Sequence, residues 1–395
     1  EGIRLLNSDP DLRGKITEDG LNAIVAEGPR KDESALLCLA ANPVGRQLLI
    51  DDAGLRSKIT HVGLNAVIAN GLDKGKSALW YLARSPEGQQ LLKDDEVLRM
   101  KISAEGLNAI VAEGPRKGES ALLCLAAKPV GRQLLIDDAG LRSKITSEGL
   151  NSVVSEGQYK GYSALWCLAC TPGGRRIIGD EVLRSKISAE GLNAIVAAGP
   201  FKGESALCCL VRSPEERQLL KDDEVFRSKI SVEGLNAILA DGENKGKSAV
   251  FFLACNPEGL QLLIDDKDLR GKIIADGLNA VIAQGPHKSF SALYMLVANS
   301  EGRQLLKDDK VLRGKITAAR LNAVIPEGKD KGYSLLFSLA CYSEGRQLLI
   351  DDEVLRGKIS AEGLNAVLSE GECKGKSALF ILAGNPEGRQ LLTDA

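Results

Sequence analysis

Residues 98–140 read LRMKISAEGLNAIVAEGPRKGESALLCLAAKPVGRQLLIDDAG, and LRSKI, from Leu141, begins the same pattern again. The motif Leu-Arg-x-Lys-Ile, with Phe once in place of Leu, opens nine copies of this unit. Successive copies are 43 residues apart except for one step of 42, where a residue is missing at Ile178-Gly179-Asp180. The copies begin at Leu12, Leu55, Leu98, Leu141, Leu183, Phe226, Leu269, Leu312 and Leu355. A unit repeated at this period is typical of a solenoid, in which neighbouring copies stack to bury their apolar faces.

Each unit is predicted to contain three helices and a short fourth turn. In the third copy, Ser103 has the character of a helix N-cap. The helix over 105–113 should end before Gly114, because Gly occupies this position in all nine copies. Ser120, also Ser in all nine copies, caps a second helix, and a proline opens the third in most copies. We therefore expect an all-α fold, a right-handed superhelical α-solenoid of nine three-helix repeats that forms one domain over residues 1–395.

The composition is that of a near-neutral, ordered chain. Hydrophobic residues make up 44% and charged residues 26%, with Lys+Arg 51 against Asp+Glu 53. Such a balance gives no overall attraction to nucleic acid or to an anionic membrane. No apolar run approaches the roughly 20 residues that span a bilayer, so we expect no membrane partner.

Nine cysteines are present, and most of them lie in or just after the predicted second helix, among them Cys38, Cys124, Cys167, Cys170, Cys208, Cys209 and Cys255. This placement favours small core residues in the cytoplasm or another reducing compartment. Cys167 and Cys170 have Cys-x-x-Cys spacing, but no second pair follows, and His61 and His287 are remote in sequence. We expect neither a metal site nor a cofactor.

The segment Gly118–Leu122 followed by Gly131–Leu135 resembles the helical hairpin of ankyrin repeats, in which Gly-x-Thr-Pro-Leu precedes one helix and Leu-Leu ends the next. The period is about ten residues longer than that of ankyrin, and the Thr-Pro-Leu-His signature is absent. A three-helix unit of this length is also similar to an armadillo repeat. Either resemblance implies a protein-binding scaffold.

Asparagine recurs inside the first predicted helix of every copy. The inner members of this ladder are Asn65, Asn108, Asn151, Asn193, Asn236, Asn279 and Asn322, with Asn22 and Asn365 at its ends. A buried asparagine needs hydrogen-bond partners, and the backbone carbonyls of a neighbouring copy could supply them. Alternatively, the ladder grips the main chain of an extended peptide. The sequence leaves both interpretations open.

Charged residues also recur at fixed positions. An aspartate precedes an arginine by four residues in eight copies, from Asp52 and Arg56 to Asp352 and Arg356. This spacing favours a solvated ion pair within one helix. A lysine stands in the loop of every copy, from Lys31 to Lys374, and either a structural or a recognition role is possible for this row.

Variable residues concentrate in the loop after the stop glycine and in the second helix. Of the 15 aromatic residues, all except Phe226 and Tyr342 lie in these two segments. Such residues are typical of contact hot spots, although the aromatic residues of the helix could instead pack against the next unit. The partner-binding candidates are Arg30, Asp73, Trp80, Arg116, Tyr159, Tyr162, Trp166, Phe201, Asn244, Phe251, His287, Phe290, Asp330 and Tyr333.

The pattern therefore favours a scaffold that binds a protein or peptide through these residues. The alternative is a modular nucleic-acid-binding protein that reads one unit per repeat, although phosphate contacts require a basic stripe. We predict no enzymatic activity, because no catalytic constellation interrupts the repeats. Residues 1–6 match 387–392, so the chain begins and stops at the same phase. We expect the native protein to continue beyond both ends and the exposed ends to favour end-to-end self-association.

Overall fold

The computed structural model describes residues 2–71, 73–156, 159–285, 287–326, 331–370 and 373–393. The chain divides into two compact units, Glu1–Gly199 and Pro200–Ala395, which we call the first and second unit. All regular structure among the described residues is helical, with 37 helices and no strand. The all-α class is therefore confirmed.

Each full repeat contains four helices. We count a repeat from the aspartate that caps its Leu-Arg helix, so that repeat three begins at Asp95, and we call the asparagine-bearing helix the first and the helix with the Leu-Arg motif the fourth. The first helices, which carry the asparagine, are Glu18–Asn22, His61–Asn65, Ala104–Asn108, Ser147–Asn151 and Ala189–Asn193 in the first unit and Val232–Asn236, Ala275–Asn279, Ala318–Asn322 and Ala361–Asn365 in the second. The second helices, which are the most apolar, are Ala35–Ala41, Ala78–Arg84, Ala121–Ala126 and Ala164–Ala169 in the first unit and Ala206–Val211, Ala249–Ala254, Ala292–Ala298, Leu335–Cys341 and Ala378–Gly384 in the second.

The third helices are the longest. They are Gly2–Ser8, Pro43–Asp51, Pro86–Asp94, Pro129–Asp137 and Pro172–Ile178 in the first unit and Pro214–Asp222, Pro257–Asp265, Ser300–Asp308, Ser343–Asp351 and Pro386–Thr393 in the second. The fourth helices, which carry the Leu-Arg motif, are Pro10–Gly14, Ala53–Ser57, Glu96–Met100, Ala139–Ser143 and Glu181–Ser185 in the first unit and Glu224–Ser228, Lys267–Gly271, Lys310–Gly314 and Glu353–Arg356 in the second. No helix in the described part of the chain is both long and apolar enough to cross a bilayer.

Side-chain caps set the helix boundaries. In repeat three, Ser103 Oγ accepts a hydrogen bond from Gly106 N–H at 2.9 Å, and Ser120 Oγ accepts from Leu123 N–H at 3.1 Å. Asp138 Oδ1 caps the fourth helix in the same way. Each cap satisfies a backbone donor that has no partner within its own helix. The predicted serine caps are confirmed, and the predicted fourth turn is a helix with its own cap.

The predicted helix over 105–113 was wrong. The first helix ends at Asn108, and at Ala109 the backbone becomes extended, with φ −55° and ψ 129°. Val111 N–H then donates to Glu119 O, and Gly118 N–H donates back to Val111 O, both at 2.8 Å. The segment is therefore a tight turn closed by backbone bonds rather than two further turns of helix.

Glycine at position 118 is required by this turn. Gly118 has φ 92°, and a Cβ there would lie 2.6 Å from Val154 Cα of the next repeat. Both the left-handed backbone and the close approach favour glycine. Asp32 and Ser289 occupy the same position in repeats one and seven with φ 70° and 72°. Asp32 has a compensating contact, because its carboxylate accepts a hydrogen bond from Ala69 N–H at 3.1 Å.

The core of each unit is formed by the second helices together with one face of the third. In the first unit, consecutive second helices pack against each other, as do consecutive third helices, and the second unit has the same two rows. Leu122 and Leu125 of repeat three are completely buried, as is Leu135 of the third helix. Packing of this kind stabilises a repeat only when its neighbour is present.

The asparagine ladder connects adjacent repeats. Asn65 Nδ2 donates to His61 O in its own helix and to Lys101 O in the next repeat, both at 2.7 Å. Its Oδ1 accepts from Ser103 N–H of the next repeat at 2.9 Å. The same three bonds are formed by Asn22, Asn108 and Asn151 in the first unit and by Asn236, Asn279 and Asn322 in the second. Each amide thus pairs two backbone groups of the following repeat that would otherwise lose water when the repeats stack.

A glycine in the next repeat makes room for this amide. A Cβ on Gly106 would lie 2.2 Å from Asn65 Oδ1, and the values at five equivalent glycines are 2.0–2.2 Å. These glycines are conserved among the copies because the preceding asparagine occupies the space of a side chain.

Repeat eight departs from this rule. Arg320 replaces the glycine, and the Thr317 N–H to Asn279 Oδ1 distance is 3.3 Å instead of the 2.9–3.0 Å found elsewhere. The buried Arg320 guanidinium donates to Ser289 O at 2.9 Å and to Ser291 Oγ at 3.2 Å. Burial lowers the pKa of Arg320.

Arginine and aspartate form a second ladder, but not the predicted one. Asp95 does not pair with Arg99 four residues later; its Oδ1 caps Leu98 N–H, and its Oδ2 accepts from Arg56 of the preceding repeat at 3.0 Å. The predicted ion pair within one helix was therefore wrong, because the capping geometry turns the carboxylate toward the preceding repeat. The equivalent pairs are Arg13–Asp52 and Arg99–Asp138 in the first unit and Arg227–Asp266, Arg270–Asp309 and Arg313–Asp352 in the second.

The lysine of the Leu-Arg-x-Lys-Ile motif forms a third ladder. Lys101 Nζ donates to Ile59 O of the preceding repeat at 2.6 Å. Lys58, Lys144 and Lys186 in the first unit and Lys272, Lys315 and Lys358 in the second donate in the same way. The constant polar residues of the repeat therefore hold neighbouring backbones together.

We predict that Asn108→Ala lowers the free energy of unfolding by about 1–3 kcal/mol, because it leaves Lys144 O and Thr146 N–H without their partner. Asn365→Ala is the matched control: this residue is exposed and donates only to Ala361 O among the described residues, so we expect a change within about 0.5 kcal/mol. Urea unfolding followed by circular dichroism measures both, and equal effects would contradict an inter-repeat role of the ladder.

Acid is expected to destabilise the stack. Burial raises the pKa of Asp309, but the Leu312 N–H bond and the Arg270 guanidinium outweigh it, so this pKa lies below its ordinary value. A lowered pKa in the folded state gives stability that is complete above the unfolded value of about 4 and is lost as the pH falls through the folded value. Asp309→Asn should therefore flatten the dependence of stability on pH between about 4 and 2, whereas Asp308→Asn, at an exposed neighbour, should not. Urea titrations over this pH range check the difference.

Candidate functional site

The variable loop residues meet on the turn that follows each first helix. We define the variable surface as the residue before the loop lysine and the residue before the capping serine of each described turn. Its members are Arg30, Glu33, Asp73, Lys76, Arg116, Glu119, Tyr159 and Tyr162 in the first unit and Phe201, Glu204, Asn244, Lys247, His287, Phe290, Tyr333, Cys373 and Lys376 in the second. The position before the loop lysine is exposed or half-buried in each described turn, whereas the position before the capping serine is half-buried or buried.

The two variable positions of one repeat contact each other. Arg30 Nη2 pairs with Glu33 at 2.5 Å, Arg116 pairs with Glu119 at 3.2 Å, and Lys76 pairs with Asp73. In repeat four both positions are tyrosine, and the rings of Tyr159 and Tyr162 meet edge to face at 5.5 Å. In repeats one to four the two positions are thus matched in charge or in aromatic character, whereas repeat five combines Phe201 with Glu204.

Trp80 lies beneath the variable surface of repeat two. Its ring is only 2% exposed and has two cations near it, Lys76 Nζ and the Arg84 guanidinium, each 5.4 Å from the ring centroid. Arg84 also approaches Glu119 of the next repeat at 3.9 Å. Cations over an aromatic face strengthen such packing. Trp80 therefore links the core to the charged surface above it.

Repeat four presents aromatic rings instead. Tyr159 is 40% exposed, whereas Tyr162 is half-buried and its ring lies 4.4 Å from that of Trp166. Trp166 is buried. Tyr162 thus covers the tryptophan, and Tyr159 is the ring that solvent or a partner meets.

The second unit contains both an exposed aromatic ring, as repeat four does, and a cation above buried rings, as repeat two does. Phe201 is 44% exposed. Lys247 donates to Asn244 Oδ1 at 2.8 Å and lies over the rings of Phe251 and Phe252 at 5.9 and 5.6 Å. Burial lowers the pKa of Lys247.

A row of rings continues along this unit. Phe251 meets His287 at 5.8 Å, His287 meets Phe290 at 5.9 Å, and Phe290 stacks on Tyr294 at 4.4 Å. The first of these contacts joins two successive repeats, and the other two lie within one repeat. Aromatic contacts of this kind are worth about 0.5–1.5 kcal/mol each beyond burial.

The partner-binding candidates are therefore not equally accessible. Exposed members are Arg30, Asp73, Tyr159 and Phe201; half-buried members are Arg116, Tyr162, Asn244, His287 and Tyr333; buried members are Trp80, Trp166, Phe251 and Phe290. Asp330 lies outside the described residues. Trp80, Trp166 and Phe251 of the second helix are buried, in agreement with the packing interpretation of that helix, whereas the buried Phe290 is a loop residue that this interpretation does not cover.

The asparagine candidates already use their polar atoms. Asn65, Asn108, Asn151, Asn236, Asn279 and Asn322 bond to the next repeat as described above, and Asn193 donates to Ala189 O. A peptide backbone would have to break these bonds, so the structure favours the structural interpretation of the ladder.

A row of β-branched residues at the surface was missed from the sequence. These residues follow the asparagine by two positions and are exposed or half-buried: Ile24, Val67, Ile110, Val153 and Ile195 in the first unit and Ile238, Val281, Val324 and Val367 in the second. In a helix over 105–113, Ile110 would share the apolar face of Leu107, whereas the extended backbone turns Ile110 outward and Val111 inward. The two adjacent β-branched residues, Ile110 and Val111, were the sequence signal that could have predicted the extended backbone.

Several thiols are sequestered. Burial raises the pKa of Cys167 to about 12 and also raises that of Cys124. Both remain thiols at neutral pH and act as small apolar residues of the second helix.

No protein-family model, curated protein or solved structure matches this chain.

We predict a large loss of stability when a buried aromatic residue is removed and a small loss when an exposed one is removed. Trp80→Ala removes a core side chain and should cost about 3–5 kcal/mol. Tyr159→Ala loses mainly one ring contact and should cost at most about 1.5 kcal/mol. Urea unfolding of each variant is the measurement, and a cost for Tyr159→Ala as large as that for Trp80→Ala would assign this tyrosine to the core.

Proposed function

We propose that the chain is a protein- or peptide-binding scaffold whose contact surface is the variable surface. The proposal includes the stacking of nine repeats into one right-handed superhelical domain. The observation that carries it is the separation of roles within a repeat: constant residues such as Asn65, Arg56 and Lys101 connect the repeats, while the residues of the turn vary. A surface that differs from repeat to repeat on a constant frame favours recognition of an irregular partner.

The chemistry of this surface supports a protein partner. It exposes Tyr159 and Phe201 beside charges of both signs, and aromatic residues with a few charges are enriched in protein interfaces. The same role follows from the resemblance to ankyrin and armadillo repeats.

The alternative, a modular nucleic-acid reader, has less support. The cations Arg30, Lys76 and Arg116 are each paired with a carboxylate three residues away. Phosphate contacts would require cations free of such partners. The proposal includes no catalytic step and no cofactor. The expected reducing compartment, such as the cytoplasm, is supported by the buried free thiols Cys124 and Cys208 but not by Cys170 and Cys209, which are disulfide-bonded.

The test uses the full chain as bait, followed by quantitative binding of the captured macromolecule to purified variants. Arg30→Ala, Tyr159→Ala and Phe201→Ala combined should weaken binding by about tenfold or more, because hot-spot residues carry most of the binding energy. Val97→Ser, Val182→Ser and Val225→Ser combined form the control, since these residues are 58–71% exposed outside the variable surface.

The dependence of binding affinity on salt distinguishes a protein-binding scaffold from a nucleic-acid reader. A protein complex should lose little affinity between 50 and 200 mM salt, whereas six to ten phosphate contacts would cost about 10³–10⁵-fold. Capture of RNA or DNA with such a slope, or equal weakening by the control variant, would overturn the proposal.

A further inference from the structure

A groove lies on the face of the first unit that the third and fourth helices form. Its walls are the third helices Pro43–Asp51 and Pro86–Asp94, the fourth helix Ala53–Ser57 and the first turn of Glu96–Met100. The groove opens to solvent and encloses about 550 Å³. Sites that bind ligands commonly enclose roughly 300–1,000 Å³. We call it the acidic groove, and the lining side chains that define it are Ile50, Glu87, Leu91, Asp94, Glu96 and Val97.

Three of these side chains are apolar. Leu91 is buried, Ile50 is half-buried, and Val97 is 58% exposed although Leu98 beside it is buried. Water therefore contacts apolar surface inside the groove, and covering that surface with an apolar group is favourable. The groove accordingly favours a partner that offers an apolar side chain.

Carboxylates dominate the charge of the lining. Four of them face one guanidinium, that of Arg56. Arg56 is already paired with Asp95 at 3.0 Å, as part of the ladder that connects the repeats. The other three carboxylates, Glu87, Asp94 and Glu96, are exposed. The acidic groove therefore carries a net negative charge beside its apolar wall.

The contacts within the chain leave these three carboxylates available to a cation. Glu87 lies 3.9 Å from Arg46 Nε, which is too long for a hydrogen bond. Asp94 accepts from the neutral amide of Gln90 at 2.8 and 2.9 Å. Glu96 forms no ion pair within the part of the chain that the structure describes. A cation in the groove would therefore not have to displace a bonded one.

The fold does not require this combination of charge and apolar surface. One repeat later, five of the nine lining positions carry the same residue types, whereas the other four differ. The four replacements are Lys93 for Ile50, Val130 for Glu87, Ala139 for Glu96 and Gly140 for Val97. The frame is thus retained without the acidic and apolar groups, so these groups are available for recognition.

We infer that the acidic groove binds a basic peptide segment of a partner protein, in which an arginine or lysine adjoins an apolar side chain. The apolar side chain covers Leu91 between Ile50 and Val97. The stem of the basic side chain lies along the same wall while its head meets Asp94 and Glu96. Arginine fits this arrangement better than lysine, because its planar guanidinium pairs with a carboxylate through two parallel hydrogen bonds.

The charge of the acidic groove selects this occupant over other anionic partners. Nucleic acid and anionic lipid surfaces are repelled by a cluster of carboxylates. The groove also shares no residue with the variable surface. Binding at the groove is therefore a second recognition site, and its success or failure leaves the proposed function of the variable surface untouched.

The first test measures binding of a fluorescein-labelled peptide, Leu-Arg-Leu-Arg-Leu-Arg, to the full chain by fluorescence anisotropy. Leu-Glu-Leu-Glu-Leu-Glu reverses the charge of this peptide, and Ser-Arg-Ser-Arg-Ser-Arg removes its apolar side chains. Each should bind about tenfold more weakly or less, because the groove uses both charge and apolar contact. Equal binding of the Ser-Arg peptide would reduce the groove to a general attraction for cations and overturn the inference.

The second test locates the site. Asp94→Asn with Glu96→Gln should weaken binding of the Leu-Arg peptide by about tenfold, since both carboxylates meet the cation. Glu105→Gln with Asp137→Asn is the matched control, because it removes the same charge from exposed positions of the first unit outside the groove. Circular dichroism checks that both variants are folded. An equal loss in the control variant would show that only the net charge matters, which would contradict a site.

The third test moves the site by one repeat. Lys93→Ile, Val130→Glu, Ala139→Glu and Gly140→Val combined give all nine lining positions of the next repeat the residues of the acidic groove. Isothermal titration calorimetry should then detect one additional Leu-Arg peptide bound per chain. A variant that unfolds at the parent's temperature and binds no additional peptide would overturn the inference.

Discussion

The rest of the structure depends on one side-chain amide that crosses from each repeat to the next. Asn65 ends its own short helix by bonding His61 O, and it pairs both Lys101 O and Ser103 N–H beyond it. An amide has the two donors and the acceptor that this task needs, and no other side chain of its size has them. The requirement explains why the first helix is short and why a glycine follows in the next repeat.

Because constant residues hold the stack together, the turn can vary without loss of the fold. Charge is exchanged between Arg30–Glu33 and Asp73–Lys76 while the backbone turn is retained. Repeat eight shows the limit of variation at the contact itself: Arg320 lengthens the bond of Asn279 and needs hydrogen bonds of its own in compensation. The chain thus separates residues that carry stability from residues available for recognition.

The period, the serine caps and the helical class could be read from the sequence because they depend on local chemistry. The end of the first helix could not be predicted from the sequence, because Asn108 ends that helix by bonding Lys144 O, which lies 36 residues later in the next repeat. The arginine partner of each aspartate could not be predicted for the same reason, because that arginine belongs to the preceding repeat. Trp80 and Tyr159 belong to one variable set by composition, yet one is buried and the other exposed. Their difference depends on how the neighbouring repeat covers the second helix, which no local pattern records.

Native-state hydrogen exchange at single amides tests the central role of the asparagine most directly. The account predicts that Ser103 N–H, bound to Asn65 Oδ1, exchanges only when repeats two and three open together, as slowly as the buried core amide of Leu125. Thr17 N–H, at the same position in repeat one, makes no hydrogen bond to a ladder asparagine among the described residues and should exchange by local fluctuation. Equal, fast exchange at Ser103 and Thr17 would contradict the account.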